Sequence, residues 1–402
     1  MNNQDLFRTS LNGLPPKSIV SALHWLHADG QQPYPLSIHL NLTLRCSAKC
    51  LHCQQWRWPK HKEYSLRQLD QLFNTFQTWK VQTITFGGGN PLLHPNFSAA
   101  LKMADERGFE IGIITEGAEI SDRLVDDICQ YANWIRFSLD GSQAELHDKI
   151  RNQLGSFDLV INNVLRLKMH QSALPVGLNC VVQKLNFNCL QRIIDLGHRL
   201  EVNMVLFKLA HGNDPDRHYL LSDIEWKKFK KWVHCTSVLD TGDLKTNLIQ
   251  LDTLMSNVFM YHDALKGYPV KNYYKQEGIH CYVPLFFLTC DSEGNAFPCD
   301  YLQADTRNWG GKYKDMRDRF GLGSILKNSE EVLENRNKIF RERIHNMPAE
   351  GFDECGCCTR FCQLNASLTQ LDHSSMDAEM NKQRVKNILK HHYTNKDESI
   401  FL

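Results

Sequence analysis

Three closely spaced cysteines are the residues of this chain whose type and spacing most directly suggest chemistry. Cys46, Cys50 and Cys53 form a C-x3-C-x2-C pattern within one short segment. A closed structural metal site or an ordinary iron–sulfur cluster normally takes four protein ligands. A four-iron cluster held by these three thiolates would leave one iron open to bind a small molecule directly. The spacing therefore favours a reactive centre over a structural one.

A second set of cysteines lies in the last third of the chain. The segment Gly294-Asn-Ala-Phe-Pro-Cys299 ends in one of them, and Cys355 and Cys358 form a C-x2-C pair. Fourteen cysteines in a long chain without a secretory signal favour metal binding in a reducing compartment over a disulfide framework. The set is Cys281, Cys290, Cys299, Cys355, Cys357, Cys358 and Cys362.

Six short β-rich segments alternate with amphipathic stretches and must position the first cysteine group. These segments are 37–42, 82–86, 110–114, 134–139, 176–182 and 203–207. Ser65 and Gln68 form a capping box, and helical spacing follows at Leu69, Leu72, Phe73 and Phe76. Repeated βα units form a parallel sheet, open or closed into a barrel, with the site at the carboxyl ends of the strands. The cysteine loop directly follows the first strand and is predicted at this end.

Further motifs follow the next three predicted strands. Gly87-Gly-Gly-Asn-Pro91, Thr115-Glu-Gly117 and Ser138-Leu-Asp-Gly141 appear in this order, and His147-Asp-Lys-Ile-Arg151 comes next. Glycines at a strand end let the backbone approach a ligand closely, although a simple tight turn uses them too. An arginine fork is a good partner for a carboxylate, but a lone helical arginine is more often a surface ion-pair residue.

These motifs, in this order over about residues 37–210, resemble those of the radical S-adenosylmethionine (SAM) enzymes. The resemblance implies an α/β protein with a partial (β/α)6 TIM-like barrel. It also implies that the three cysteines hold a [4Fe–4S] cluster whose open iron takes the amino and carboxylate groups of SAM. Reductive cleavage of SAM, with an electron from a flavodoxin or ferredoxin, then gives a 5′-deoxyadenosyl radical that takes hydrogen from substrate.

The resemblance implies that loop and strand-end residues bind SAM: His52, Gly88, Gly89, Asn90, Ser138 and Arg151. The family usually has Gly-Gly-Glu-Pro where Asn90 stands, with its main chain meeting the SAM amino group, and often Thr-Asn-Gly where Glu116 stands. Arg151 is expected to pair with the SAM carboxylate. His52 occupies a position where relatives often carry an aromatic side chain near the adenine, and a loop histidine turned to solvent is the equal alternative.

The carboxy-terminal cysteines resemble the auxiliary-cluster extensions named SPASM and twitch. One [4Fe–4S] cluster is expected, with four straightforward ligands: Cys281, Cys299, Cys355 and Cys358. Cys290, Cys357 and Cys362 are the substitutes or further ligands. The seven cysteines of this region are too few to supply all ligands of two clusters. A structural zinc knuckle built from the same thiolates is the alternative, because thiolate spacing does not distinguish zinc from iron–sulfur.

The predicted domain order has five parts. They are an N-terminal arm (1–36), the radical SAM barrel (37–215), a helical connector (216–270), a small cysteine-rich SPASM- or twitch-like auxiliary-cluster domain (271–365) and a helical tail (366–402).

The expected substrate is a peptide, because relatives with such an extension commonly cross-link or otherwise modify ribosomally made peptides. A dehydrogenase or epimerase acting on a sugar or aminocyclitol is the alternative. Epimerases need a hydrogen donor, for which Cys180 on the fifth predicted strand is a candidate, and a buried structural cysteine is the other interpretation. The alternative from a different functional class is a binding protein that is stabilised by structural zinc and has no redox chemistry.

Composition indicates neither a nucleic-acid nor a membrane partner. The 46 basic and 45 acidic residues give a formal net charge of +1, so no overall field attracts the chain to anions. No run approaches the ~20 apolar residues that span a bilayer, and the first residues lack a basic start and apolar stretch. We expect a cytoplasmic protein.

Overall fold

The computed structural model describes residues 34–53, 55–57, 63–117, 120–170, 173–210, 218–237, 244–248, 283–300 and 316–340. The predicted helical tail lies outside these residues, as do most of the N-terminal arm and much of the helical connector.

Ten strands of the described residues form one sheet, in the order β10-β9-β8-β1-β2-β3-β4-β5-β6-β7. The strands are β1 Ser37–Thr43, β2 Thr83–Gly88, β3 Glu110–Thr115, β4 Trp134–Ser138, β5 Val176–Val182, β6 Met204–Leu209, β7 Lys245–Thr246, β8 Phe287–Cys290, β9 Asn295–Phe297 and β10 Gly323–Ser324. All pairs from β8 through β1 to β7 are parallel, and β8–β9 and β9–β10 are antiparallel. The mostly parallel sheet with intervening helices confirms the predicted α/β partial barrel.

Helices connect the strands in the βα order that the sequence predicts. They are α1 Leu66–Thr78, α2 Phe97–Asp105, α3 Asp122–Tyr131, α4 Ala144–Arg151, α5 Ser156–Met169, α6 Leu190–Arg199, α7 Asp223–Ser237, α8 Val283–Phe286, α9 Met316–Phe320 and α10 Ser329–Ile339. The capping box is confirmed, because Gln68 N–H donates to Ser65 Oγ at 3.3 Å and Ser65 N–H donates to Gln68 Oε1 at 2.9 Å. No described helix is long and apolar enough to cross a membrane.

The core lies between the sheet and its helices. Phe86 of β2 packs edge-on against Phe73 of α1 and Phe97 of α2, and its register partner on β1 is Leu40. Because strand side chains alternate between faces, His39 and its register partner Thr85 lie on the opposite face, which lines the barrel interior.

The short strand β8 joins the barrel sheet at the free side of β1. Thr289 pairs with His39 in a parallel register. The sequence did not predict this strand. The pairing brings residues 283–300, assigned from sequence to the auxiliary-cluster domain, directly against the barrel.

Candidate active site

The loop that carries the three cysteines follows β1 and is held against the last turn of α4. Lys49 N–H donates to Arg151 O at 3.1 Å, and Leu51 N–H donates to Ile150 O at 3.0 Å. The last carbonyls of a helix lack partners within the helix. Helix α4 therefore offers the acceptors that fix the backbone of the cysteine loop.

The three thiols of this loop are reduced and shielded from solvent to different degrees. Cys50 is buried, and Cys46 and Cys53 are half-buried. Burial raises the pKa of Cys53 to about 11, and burial also raises the pKa values of Cys46 and Cys50. Ligand thiolates at this place therefore need nearby positive charge, which a metal centre supplies.

No group of three or more His, Cys, Asp or Glu side chains among the described residues has the geometry of a single-ion site. A cluster differs from a single ion because each of its protein thiolates binds a different iron. The assignment of Cys46, Cys50 and Cys53 to a cluster stays a prediction.

Arg151 is a buried cation that contacts both the cysteine loop and the loop after β4. Its Nη1 donates to Cys50 Sγ at 3.3 Å, and its Nη2 lies 2.9 Å from Asp140 Oδ2. The Arg151 guanidinium opposes the effect of burial on the pKa of Cys50. Its Nε has no hydrogen-bond partner among the described residues. The structure thus places Arg151 inside the site rather than on the surface.

His52 is connected to Asp140 through two buried amide side chains. Gln183 Nε2 lies 3.0 Å from His52 Nδ1, and Gln183 N–H donates to Asn186 Oδ1 at 2.8 Å. Asn186 Nδ2 donates to the Asp140 carbonyl at 2.9 Å and to the Val181 carbonyl at 3.0 Å. Burial lowers the pKa of His52 to about 4, so the ring is neutral near pH 7. It is hydrogen-bonded within the fold, unlike a loop histidine turned to solvent.

His147 and Asp148, in the motif after β4, support the site through hydrogen bonds. Asp140 N–H donates to His147 Nδ1 at 3.1 Å, and His147 Nε2 lies 3.2 Å from Ser156 Oγ. Asp148 Oδ1 accepts from Phe157 N–H at 2.8 Å and caps α5. These residues therefore fix how the Asp140 loop, α4 and α5 lie against one another.

The glycine turn after β2 packs tightly against the backbone that follows β1. Gly89 N–H donates to Thr43 O at 2.8 Å, and Asn90 N–H donates to Arg45 O at 2.7 Å. A Cβ at Gly89 would lie 2.3 Å from Arg45 O, and Gly88 has a φ of +109°. The described structure thus shows why this turn needs glycine, namely a close approach to its own chain.

Asn90 and Glu116, the two departures from the family pattern, contact each other. Asn90 Nδ2 donates to Glu116 Oε1 at 3.3 Å, and Thr115 Oγ1 donates to Asn90 Oδ1 at 2.8 Å. Glu116 Oε1 also accepts from Ser47 N–H at 3.0 Å and from Ser47 Oγ at 2.5 Å. Glu116 is only 5% exposed, and its Oε2 has no hydrogen-bond partner in the part of the chain that the structure describes.

Ser138 ends β4 on the interior face, and Cys180 lies on the other face of β5. Ser138 pairs in register with Asn179. The thiol of Cys180 is fully buried in the core between sheet and helices, 3.6 Å from Asn186 Nδ2. This is the placement of a structural core cysteine, and it gives the hydrogen-donor role of Cys180 no support.

Two cysteines of the carboxy-terminal set are described. Cys290 is fully buried in the core on β8, whereas Cys299 is half-buried. Asp300, the next residue, has its Oδ2 2.9 Å from His39 Nδ1, and its Oδ1 accepts from Thr289 Oγ1 at 2.6 Å. The segment with Cys299 is thereby anchored to the interior face of β1 and β8. The other predicted ligands lie outside the described residues: Cys281, Cys355, Cys358 and Cys362.

Sequence reasoning missed several polar residues that hold this site together. Asp140 lies inside a motif that the sequence singled out, so its place in the motif was an available signal. Gln183 and Asn186 follow β5 in a stretch without a recognised motif, and no comparable signal marked them. His39 is a polar residue within a strand, and its contact with Asp300 joins positions 261 residues apart.

Comparison with known proteins agrees with this geometry. The family model described as the radical SAM superfamily matches residues 40–197. Fe-coproporphyrin III synthase of Methanosarcina barkeri is 26% identical over 170 residues, 42% of each chain. The subtilosin biosynthesis protein AlbA of Bacillus subtilis is 24% identical over 212 residues, 49% of this chain and 46% of AlbA. The matches thus span less than half the length of these curated relatives.

Solved structures share the fold at low sequence identity. SuiB of Streptococcus suis bound to its precursor peptide SuiA is 12% identical, with a TM-score of 0.59 over 86% of this chain and 76% of SuiB. The protein anSMEcpe with bound SAM and the Cp18Cys peptide is 16% identical, with a TM-score of 0.58 over 90% of this chain and 98% of that one. The structures show the same fold, and residues 40–197 are similar to the radical SAM superfamily.

The superfamily that residues 40–197 resemble implies a [4Fe–4S] cluster and SAM, and the residues present fit both. Three thiols share one loop at the carboxyl end of β1. Two buried polar atoms beside that loop, Arg151 Nε and Glu116 Oε2, have no hydrogen-bond partner within the described ranges. A cationic donor and an anionic acceptor of this kind suit the carboxylate and the amino N–H groups of SAM.

Proposed function

We propose that this chain is a radical SAM enzyme that modifies a peptide, by forming a cross-link or by oxidation, with the help of an auxiliary [4Fe–4S] cluster. The observation that carries the proposal is the anchoring of the Cys299 segment to the barrel interior through Asp300 and His39. This anchoring supports a second cysteine site beside the barrel, because it fixes the segment that carries Cys299. A peptide substrate is supported by the solved structures of SuiB and anSMEcpe, which contain bound peptides, and by the similarity to AlbA.

At the first site, Cys46, Cys50 and Cys53 would hold the cluster, and Arg151 would stabilise the thiolate of Cys50. When bound, the cluster and SAM supply reductive cleavage of SAM and removal of a hydrogen atom from substrate. The amide side chain of Gln183 would keep the neutral His52 ring in place within the cysteine loop. We assign the main chain at Gly88 and Gly89, and Ser138 at the end of β4, to SAM binding as well.

At the second site, Cys281, Cys299, Cys355 and Cys358 would hold the auxiliary cluster, with Cys362 as a further ligand. A cluster there can accept an electron from a substrate radical, so that the net result is oxidation or bond formation. A flavodoxin or ferredoxin would reduce the first cluster. A reducing compartment, the cytoplasm, suits a chain with two such centres.

Metal analysis of the anaerobically reconstituted protein tests the two-cluster part of the proposal. Cys299→Ala is expected to lose iron and sulfide while keeping SAM cleavage. Cys129→Ala, which removes a half-buried cysteine outside both groups, is the matched control. It is expected to keep iron, sulfide and SAM cleavage. Zinc without sulfide in the wild-type protein, or unchanged iron in Cys299→Ala, would contradict the auxiliary cluster.

Mass spectrometry tests the substrate class. Short peptides encoded next to the gene are incubated with the reduced holoprotein and SAM. The expected product has lost two hydrogen atoms, and a cross-link appears as resistance of one peptide segment to fragmentation. Efficient SAM cleavage coupled to oxidation of a sugar or aminocyclitol, with every such peptide unchanged, would overturn the maturase proposal.

A further inference from the structure

We propose that the basic face of α7 binds an acidic segment of the peptide substrate, outside the part of the peptide that is modified. This basic face consists of the exposed side chains of Lys227, Lys228 and Lys231. The inference rests on the proposed function in taking the substrate to be a peptide. It adds the charge of that peptide and a place on the protein where the charge is bound.

Helix α7 concentrates positive charge in a protein that has almost none overall. The formal net charge of the chain is +1, yet four lysines stand between Trp226 and Trp232, and no acidic residue follows Glu225 until Asp240. Like charges four residues apart on a helix repel each other and destabilise it. A negatively charged partner removes this cost when it binds.

The apolar residues of α7 determine which face of the helix is exposed. Phe229 is fully buried and stacks on Trp232, whose ring meets Phe207 of β6 edge-on. Residues four apart lie on the same side of a helix, so Lys227 and Lys231 share the opposite, outer face. Packing against β6 therefore holds the basic face towards solvent.

The lysines of the basic face are not neutralised by the protein itself in the part that the structure describes. No salt bridge or side-chain hydrogen bond within the described residues involves Lys227, Lys228 or Lys231. Glu225 is held by the start of the helix, where its Oε2 accepts from Ser222 N–H at 2.8 Å and from Ser222 Oγ at 2.7 Å. The positive charge is thus available to an anionic partner from outside the chain.

A further exposed lysine, Lys184, extends the positive charge from α7 towards the loop after β5. Lys184 N–H donates to Tyr219 O at 2.8 Å, just before α7 begins. Against the effect of burial, hydrogen bonds from Ser222 and the charges of Lys184 and Lys228 lower the pKa of Glu225. Lys184 and the first turns of α7 are therefore neighbours.

This location connects the basic face to the candidate active site. Lys184 directly follows Gln183, whose Nε2 lies 3.0 Å from His52 Nδ1 on the cysteine loop. Helix α7 follows β6 and begins at the carboxyl end of the sheet, the same end that carries the cysteines. A peptide whose reacting residue lies inside the barrel can therefore pass Lys184 and continue along α7.

The spacing of the lysines suits an extended acidic chain. Four residues of helix rise about 6 Å, and every second residue of an extended peptide advances about 6.6 Å. Carboxylates on alternate residues of such a peptide can thus reach Lys227 and Lys231 in turn. Ile224, which is 69% exposed and precedes Lys228 by one helical turn, offers an apolar contact to the same segment.

Binding of two synthetic peptides to the reconstituted holoprotein tests the inference without relying on turnover. One peptide alternates Glu and Ala, and its counterpart alternates Gln and Ala. Wild type is expected to bind the Glu peptide at least about tenfold more tightly than the Gln peptide, because several weak exposed ion pairs act together. Lys227→Glu/Lys228→Glu/Lys231→Glu should lose this preference and keep SAM cleavage. Equal binding of the two peptides by wild type, or an unchanged preference in this variant, would overturn the inference.

Lys80→Glu/Lys102→Glu/Lys327→Glu is the matched control, because it changes the net charge equally at exposed lysines on elements away from β6. It is expected to keep the preference to within about threefold, since charges further apart than about 10 Å are largely screened at moderate salt. An equal loss in both variants would assign the preference to overall charge and contradict the site on α7. Lys227→Gln/Lys228→Gln/Lys231→Gln carries the test if the charge-reversed variant does not fold, and its preference should fall at least about threefold.

Other anionic partners are tested in the same way, with phosphatidylserine vesicles and single-stranded polyuridylate as probes. Neither is expected to discriminate between the charge-reversed α7 variant and its matched control. Binding of either probe that is tighter than that of the Glu peptide, and that is lost only in the α7 variant, would assign the basic face to a membrane or to RNA and overturn the proposal.

Kinetics with a peptide that the protein modifies connect the basic face to the substrate. Replacing the acidic residues of that peptide with Gln is expected to raise KM about tenfold and to change kcat by less than about twofold, because these residues bind without reacting. In the charge-reversed α7 variant the two peptides should have the same KM. A KM that depends equally on the acidic residues in wild type and variant would contradict binding at α7.

Failure of this inference and failure of the proposed function give different results. If the Glu peptide binds through α7 while only a sugar or aminocyclitol is oxidised, the acidic-peptide site stands and the maturase proposal fails. If peptides are modified and neither binding nor KM depends on the lysines of α7, the maturase proposal stands and this inference fails.

Discussion

The Nη1 atom of Arg151 lies 3.3 Å from the sulfur of Cys50, and both side chains are buried. The same guanidinium pairs with Asp140, which is fully buried. Positive charge beside a buried thiol favours its thiolate, the form that ligates iron. The cysteine loop, the loop after β4 and the end of α4 therefore meet at one ion pair.

Arg151→Met is expected to lower the free energy of unfolding by about 3 to 5 kcal/mol, because it leaves the buried Asp140 carboxylate without its cation. Urea denaturation of the metal-free protein measures the loss. Arg151→Met/Asp140→Asn, which also removes the uncompensated charge, is expected to recover at least about 1 kcal/mol. A double variant no more stable than Arg151→Met would contradict the role assigned to the ion pair.

Acid is expected to destabilise the protein through His147. Burial lowers the pKa of this histidine in the fold from 6.5 to about 4. The unfolded chain therefore binds more protons between these values, and stability is present above pH 6.5 and is lost as the pH falls towards 4. Between pH 7 and pH 5 the loss is about 2 kcal/mol.

Denaturation at the two pH values checks this expectation. His147→Gln should show a smaller difference between pH 7 and pH 5 than wild type. His170→Gln, which removes a partly exposed histidine that pairs with Asp126, should keep the wild-type difference. The same pH dependence in all three proteins would exclude His147 as its source.

Gly89→Ala is expected to cost about 1 to 3 kcal/mol and most of the SAM affinity, because the added Cβ overpacks the turn. The clash is with Arg45 O, at 2.3 Å. Gly108→Ala is the control, since its φ is +77° and no atom of the described residues beyond its chain neighbours lies within 4 Å of the added Cβ. That control should lose about 1 kcal/mol without loss of SAM affinity. Equal SAM affinity in Gly89→Ala and Gly108→Ala would show that the glycine turn has no role in SAM binding.

Cys180→Ala is expected to leave SAM cleavage and product formation unchanged, because this thiol lies in the core rather than on the interior face of the barrel. The small cavity should cost about 1 kcal/mol of stability. Cys235→Ala removes an exposed thiol and is the matched control for the removal of one cysteine. Loss of product with intact SAM cleavage in Cys180→Ala alone would restore the hydrogen-donor hypothesis.

The sequence predicted the six strands β1–β6 because their signals are local. Each is a short β-rich run with a helical pattern after it, and the capping box at Ser65 marks the start of α1. The strand β8 has only four residues and pairs with β1, some 250 residues earlier in the chain. Pairing at that distance depends on tertiary packing, which a local pattern does not encode.

In the candidate site, too, local patterns were predictable and long-range contacts were not. The cysteine spacing and the motif order predicted a set of loops after β1 to β4, and the structure brings these loops together at the carboxyl end of the sheet. The Arg151–Cys50 and Asn90–Glu116 contacts each join separate loops, so no spacing rule predicts them. From sequence, Asn90 and Glu116 are two separate departures from the family pattern, and only the structure shows that they contact each other.

Detection of 5′-deoxyadenosine tests the central claim most directly. The anaerobically reconstituted protein is given dithionite and SAM, and the nucleoside is quantified by mass spectrometry. Wild type is expected to form it, whereas Cys46→Ala/Cys50→Ala/Cys53→Ala is expected to form none while keeping its carboxy-terminal iron. No 5′-deoxyadenosine from the wild-type protein with full iron and sulfide, or undiminished formation by the triple variant, would contradict the account.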